Sequence, residues 1–366
     1  MKLYLPHEIC IEQGEENAPV VQRALARLPH VPVRIVEKGW EHEDRSLLSA
    51  DAFATGKRRL FFTRQRSTFL EHCPAGTSGL VCCNYLVVSL ISNCPMDCSY
   101  CFLQEYLINN PTLKVYTNVG DLLQEVGKAL DRQPTRHFRI GTGELSDSLA
   151  LDPLLGFSAD LVPFFASRSN ALLELKTKSH CVDELLKLDP KERVVVSWSM
   201  TPSAIIDTEE HGTATFAERL SAAQRVQAAG YKLGFHFDPL IEYPDWEYGY
   251  RETIAQIFSA LDPTRVAWVS LGSLRMTPAL RTTVRRRFPR TRILAGEQVA
   301  CADGKWRTFQ ALRVKMYRSI LGWLREAAPQ VPHYMCMETA AVWDKVFGYT
   351  PRADKDVAQM LTGGKG

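Results

Sequence analysis

From about residue 86 onward, short β-branched runs alternate with helical patterns, the order expected of a parallel sheet joined by crossover helices. The strand candidates are Leu86 to Ser92, Phe138 to Gly141, Leu172 to Thr177, Val194 to Met200, Leu233 to Phe237 and Val266 to Leu271. Helices with readable ends lie between them. One opens at Thr215, where Glu218 completes a capping box and Gly230 follows the last turn. Another starts near Asn118, carries Val119, Leu122, Leu123, Val126 and Leu130 on one face, and stops before Pro134. Six β/α units are too few for a closed eight-unit barrel, which takes roughly 250 residues. The pattern therefore predicts an α/β chain built on a partial (β/α)6 barrel. Residues 1–82 read as an N-terminal α/β extension, 83–280 as the barrel, and 281–366 as a C-terminal extension with a basic patch.

The bulk composition suits this reading. A chain of 366 residues, 45% hydrophobic and 23% charged, can bury a large core. Its start lacks a sustained apolar core and cleavage site, and the run near Leu86 to Ile91 is far too short to cross a bilayer. The expectation is a cytoplasmic protein without a membrane partner. Ten cysteines spread through a large chain read as reduced thiols, some of them metal ligands, rather than as a disulfide framework. A net charge of +3 is too small to identify a nucleic-acid binder.

The most informative chemistry follows the first strand candidate, in Asn93-Cys94-Pro95-Met96-Asp97-Cys98-Ser99-Tyr100-Cys101-Phe102. Three thiolates spaced by three and then two residues can wrap one cubane and ligate three of its irons. The fourth iron stays open to chelate the amino and carboxylate groups of S-adenosylmethionine. A zinc site is the competing reading, but it needs a fourth ligand, and no Cys or His follows closely. The spacing, with Tyr100 just before the third cysteine, resembles the signature of the radical S-adenosylmethionine (radical SAM) superfamily. The second strand candidate ends in Gly141-Thr142-Gly143-Glu144, similar to the glycine-glycine-glutamate element that holds the cofactor's amino group in many members of that superfamily. Taken alone, the tetrapeptide also reads as a simple turn.

Longer blocks resemble the spore photoproduct lyase family. They are Cys94 through Gln104, Ser146-Asp147, Thr177-Lys178, Glu210 through Thr213 with Arg219 beyond, Gly230 through His236, and Cys336-Met337-Glu338. The resemblance implies a barrel of the radical SAM type, a 4Fe-4S cluster on Cys94, Cys98 and Cys101, S-adenosylmethionine as cofactor, and a reductant such as flavodoxin or ferredoxin. It implies removal of a hydrogen atom from C6 of a methylene-bridged thymine dimer in DNA. Carried over by position, Tyr100, Gly143, Glu144, Ser146, Asp147, Lys178 and Ser199 would surround the cofactor, with Tyr100 and Glu144 in the catalytic positions. Two residues depart from the family pattern. Glu144 stands where a cysteine donates hydrogen, and Phe102 where a second tyrosine is expected. Either another thiol substitutes, with Cys181 and Cys336 as candidates, or the substrate is different.

Arg281, Arg285, Arg286, Arg287, Arg290 and Arg292 form one basic block, and Lys57, Arg58, Arg59, Arg64 and Arg66 another. Either could neutralise DNA phosphates or simply form a solvated face. Trp306, Phe309, Tyr317 and Trp323 could stack on bases or pack on the barrel. Three functions remain in play: a DNA photoproduct lyase, a radical SAM enzyme acting on a non-DNA substrate, and a cluster-bearing binding protein without turnover.

Overall fold

The computed structural model describes residues 4–40, 52–73, 79–351 and 354–362. Its central sheet carries seven parallel strands in sequence order: β1 (Leu86–Val88), β2 (Phe138–Gly141), β3 (Ala171–Thr177), β4 (Val194–Ser199), β5 (Lys232–Leu240), β6 (Val266–Ser273) and β7 (His333–Met335). The short strand Leu70–His72 closes one edge, antiparallel to β1. The expected partial α/β barrel is therefore present. It carries a seventh parallel strand that the sequence pattern does not announce, because three residues are too few to display a period.

The run Leu86 to Ser92 is not one strand. Its second half, Ile91–Ser92, leaves the barrel and pairs antiparallel with Leu113–Tyr116. That strand belongs to a second sheet, in the order Val33–Val36, Glu8–Glu12, Arg59–Thr63, Leu113–Tyr116, Ile91–Ser92. The change of sheet occurs immediately before Cys94. Asn93 then adopts φ +77°, a left-handed conformation that asparagine tolerates better than most residues. Its side chain pins the turn, donating to Pro111 O at 2.6 Å and accepting from Cys94 N at 2.8 Å.

Both expected helices form. Phe216–Ala228 has the Thr215/Glu218 capping box, worth about 1 kcal/mol, and packs through the buried side chains of Phe216, Ala222, Ala223 and Val226. Val119–Arg132 buries Leu122, Val126 and Leu130. Among the described residues no helix is long and apolar enough to cross a membrane.

The barrel interior is not uniformly apolar. One polar residue from each of six successive strands enters a buried network: Arg139, Glu174, Ser197, His236, Ser270 and Tyr334. Arg139 donates to Glu174 Oε2 through Nε (3.0 Å) and Nη2 (2.7 Å), and its Nη2 also donates to Tyr334 Oη. Ser197 and His236 each reach Glu174 Oε1 at 2.7 Å. Gly234 leaves the necessary space, since a Cβ there would lie 2.5 Å from Ser197 Oγ. Buried polar groups bonded to one another in this way form a floor for whatever lies above them, with Arg139 Nη1 left without a partner.

Candidate active site

A cavity of about 710 Å³ opens above this floor, at the C-terminal ends of the strands, where α/β folds build their sites. Its lining brings together every site residue expected from the sequence: Cys94, Cys98, Cys101, Tyr100, Gly143, Glu144, Ser146, Asp147, Lys178 and Ser199.

The cysteine loop is held from several sides. Gln104 donates to the carbonyls of Cys98, Ser99 and Cys101, at 3.2, 2.7 and 3.2 Å. Asp97–Cys98 pairs antiparallel with Glu210–His211, and Ser99 N donates to Glu209 O at 2.8 Å. Asp97 is clamped between Lys57 Nζ (3.1 Å) and Arg287 Nη2 (2.8 Å). One cation from each basic block thus braces the loop and does not form an open basic surface. Arg59, Arg64 and Arg66 are also engaged, with Glu8, Asp121 and Glu12. Arg285, Arg286, Arg290 and Arg292 remain exposed. Of the four aromatic residues, Tyr317 is fully buried and Trp323 packs against Trp246, so both belong to the core. Trp306 lies under the Arg281 guanidinium, whereas Phe309 is exposed.

Burial pushes the Cys94 thiol up to about 12 and the Cys98 thiol well above its ordinary value, with other loop cysteines adding to both shifts. Thiolates here therefore require the positive charge of a metal centre. Among the described residues no three Cys, His, Asp or Glu side chains converge as ligands of a single ion do. Three cysteines within eight residues and no fourth ligand beside them suit a cubane with one open iron.

Cofactor-type donors share this cavity. Ser146 Oγ is buried without a hydrogen-bond partner, as expected of a hydroxyl that serves a ligand. The Lys178 ammonium lies 5.7 Å from the Tyr100 ring centre. Burial pulls Lys178 down, but Glu210 and Cys98 outweigh it and hold the group above its ordinary value. Tyr100 donates its hydroxyl to Glu210, which is paired with the fully buried Arg219. Arg219 in turn donates to Ser199 O at 2.9 Å. The block from Glu210 to Arg219 is thus a brace behind Tyr100 and Ser199.

Other expectations change in detail. The Asp147 carboxylate is already used by the chain: Oδ1 accepts from Leu149 N (3.0 Å), Ala150 N (2.8 Å) and Thr177 Oγ1 (2.7 Å), and Oδ2 accepts from Lys178 N at 2.7 Å. It orders Ser146 and Lys178 from behind. Gly141 and Gly143 make room for protein side chains. A Cβ on Gly141 would lie 1.3 Å from Tyr85 Oη, and one on Gly143 would lie 2.8 Å from Lys176 Cβ.

Glu144 is half-buried in the lining, and burial pushes its carboxyl up against the opposing pull of Lys176, Arg275 and Lys305. Asp238, paired with Arg275 at 3.2 Å, adds to the upward shift. Cys336, which follows β7, lines the same cavity, whereas Cys181 does not. Sequence reasoning missed Arg275, Asp238, Lys176 and the buried polar network. Polar residues inside β-branched runs, such as Glu174 and His236, are the available signal.

Comparison with known proteins places these features in a family. The spore photoproduct lyase family model matches residues 81–316. The curated spore photoproduct lyase of Geobacillus sp. (strain Y412MC61) is 28% identical over 208 residues, 56% of this chain and 61% of that protein. The Bacillus subtilis (strain 168) lyase is 26% identical over 213 residues, 58% of this chain and 62% of its own. The matched region thus spans about three fifths of these relatives' length. A solved spore photoproduct lyase variant with bound AdoMet and dinucleoside spore photoproduct superposes with TM-score 0.79 at 21% identity, covering 92% of this chain and 100% of that one. At that identity the likeness is one of fold.

Proposed function

This chain belongs to the spore photoproduct lyase family, and from that premise we propose that it is a radical SAM lyase acting on thymine photoproduct in DNA. The observation that carries the reading is the shared wall of the cavity. The thiols of Cys94, Cys98 and Cys101, an unpartnered Ser146 hydroxyl and the Lys178 ammonium line one space. Cys94, Cys98 and Cys101 would hold a 4Fe-4S cluster. Ser146, Lys178 and Ser199 would hold S-adenosylmethionine, whose bound form supplies a carbon radical able to remove hydrogen from substrate.

The chain's own groups perform the positioning. Lys178 presents a point charge suited to a carboxylate. Tyr100, tied to Glu210 and Arg219, forms a rigid wall between the cysteine loop and β4. The polar floor below is held by bonds among its own groups. The exposed arginines at 285, 286, 290 and 292 lie on and after a helix that begins at the cavity with Thr277 and Leu280, and they suit phosphate contacts. We place the protein in the cytoplasm, with a reductant of the flavodoxin or ferredoxin class.

A radical SAM reaction on a non-DNA substrate is the second reading. Glu144 favours it, because a carboxylate cannot return a hydrogen atom as a thiol does. Anaerobic reconstitution followed by incubation with photoproduct-containing DNA tests the choice. Thymine formed together with 5′-deoxyadenosine supports the lyase, and 5′-deoxyadenosine without thymine supports another substrate.

A further inference from the structure

Ten cysteines are present, and six of them line the cavity. Three form the cysteine loop; the others are Cys73, Cys83 and Cys336. Cys336 stands out by its surroundings. Its thiol is influenced by Arg275, Asp238 and Lys176, the same three groups that act on Glu144. Thiol and carboxyl both line the cavity that holds the Asp238–Arg275 ion pair, Cys336 after β7 and Glu144 after β2. The position is fixed: Cys336 N donates to Leu271 O at 2.8 Å, and Arg275 Nε donates to the sulfur of the next residue, Met337, at 3.0 Å.

The thiol is not isolated. Antiparallel pairing of Leu80–Val81 with Glu338–Thr339 brings Cys82 and Cys83 to the same side, where Cys83 is hydrogen-bonded to Cys82 and influenced by Cys336. Arg139 lies beside Cys83 in the cavity lining, 6% exposed, and its Nη1 has no partner. That donor is available to a ligand seated against the thiols. Burial pushes the Cys336 thiol up to about 11, so at neutral pH the sulfur keeps its hydrogen.

We propose that Cys336 is the hydrogen-atom donor to the substrate-derived carbon radical, acting from the end of β7 instead of from the Glu144 position after β2. The proposal rests on the lyase reading above. In the step, the Cys336 S–H bond breaks and a C–H bond forms on the substrate. The sulfur radical left behind takes one electron from the flavodoxin- or ferredoxin-class reductant and one proton from solvent. The hydrogen removed at the start of the reaction stays in 5′-deoxyadenosine, so one S-adenosylmethionine is consumed per lesion repaired.

The test is turnover of reconstituted protein in deuterium oxide, with mass spectrometry of the product. The parent should place one deuterium in each thymine pair. Cys336→Ser should lose that deuterium and accumulate radical adducts while still forming 5′-deoxyadenosine, and Cys83→Ala should keep the label. Deuterium retained in Cys336→Ser, lost in Cys83→Ala instead, or missing from parent product overturns the assignment. A second measurement does not depend on turnover: saturating dinucleoside photoproduct should slow maleimide alkylation of Cys336 but not of Cys301, which lies outside the cavity. Equal alkylation with and without the dinucleoside also overturns it. A parent that forms no thymine counts against the photoproduct reading, and the alkylation result then decides the thiol assignment separately.

Discussion

His236 donates from Nε2 to Glu174 Oε1 across 2.7 Å in the floor of the barrel, and burial together with Lys176 holds its imidazole down to about 4. The neutral ring suits its two partners, since Nδ1 can accept from Ser270. In the unfolded chain the same histidine titrates near 6.5. Between those values the unfolded state binds the extra proton, so stability falls as pH drops from about 6.5 toward 4. The expected loss from this residue is about 2 kcal/mol between roughly pH 7 and pH 5. Urea unfolding at both pH values checks it, and His236→Gln should flatten the difference by that amount. A slope unchanged in the variant would show that the ring is already charged in the folded protein.

Ser146 and Asp147 are neighbours with separate tasks. Ser146→Ala removes an unpartnered hydroxyl, so folding stability should hold while S-adenosylmethionine affinity weakens by about 0.5–1.5 kcal/mol, roughly twofold to tenfold. Asp147→Ala leaves three backbone N–H groups and the Thr177 hydroxyl without their acceptor, and should cost about 2–4 kcal/mol of folding stability. Calorimetric titration and urea unfolding on both variants separate the effects. The reverse pattern would move the ligand contact from Ser146 to Asp147.

Cys98→Ala should reduce iron incorporation far below a full cubane and abolish cofactor cleavage, while circular dichroism stays unchanged. The fold should survive because the loop is braced by Gln104, Glu209 and Asp97, none of which needs the thiol. Iron quantitation and paramagnetic resonance provide the readout. Zinc in place of iron, or an unaltered cluster signal in the variant, would return the site to the mononuclear reading.

The legible parts of this molecule are those encoded by local period or spacing. The helix at Phe216–Ala228 is readable because its capping box lies within four consecutive residues, and the cysteine loop because its ligands lie within eight. The seventh strand is not, since His333–Met335 gains its identity only by pairing with β6. The same limit hides the change of sheet after Val88, where a continuous apolar run serves two sheets. The bracing role of Asp147 is equally hidden, because its four donors come from its own turn and from the end of β3. Charge runs are ambiguous for a related reason. Lys57 and Arg287 look like surface cations in sequence, yet both close on Asp97.

Glu144 offers the most direct test of what the cavity was built to do. Its carboxyl lines the cavity together with Lys176, Arg275 and Lys305, whose charges oppose the upward push of burial. A thiol at this position would line the same cavity as Cys336, but from the end of β2 instead of β7. With Cys336 as the donor, Glu144→Cys should leave the parent's ratio of clean thymine to side products unchanged. In the Cys336→Ser background it should restore the deuterium label lost by that variant. Product analysis by mass spectrometry reads both outcomes. Clean repair by the parent that does not improve in Glu144→Cys would mean that the existing thiol already suffices. No repair in either protein, with 5′-deoxyadenosine still formed, would mean that Glu144 and its three cations select a different substrate.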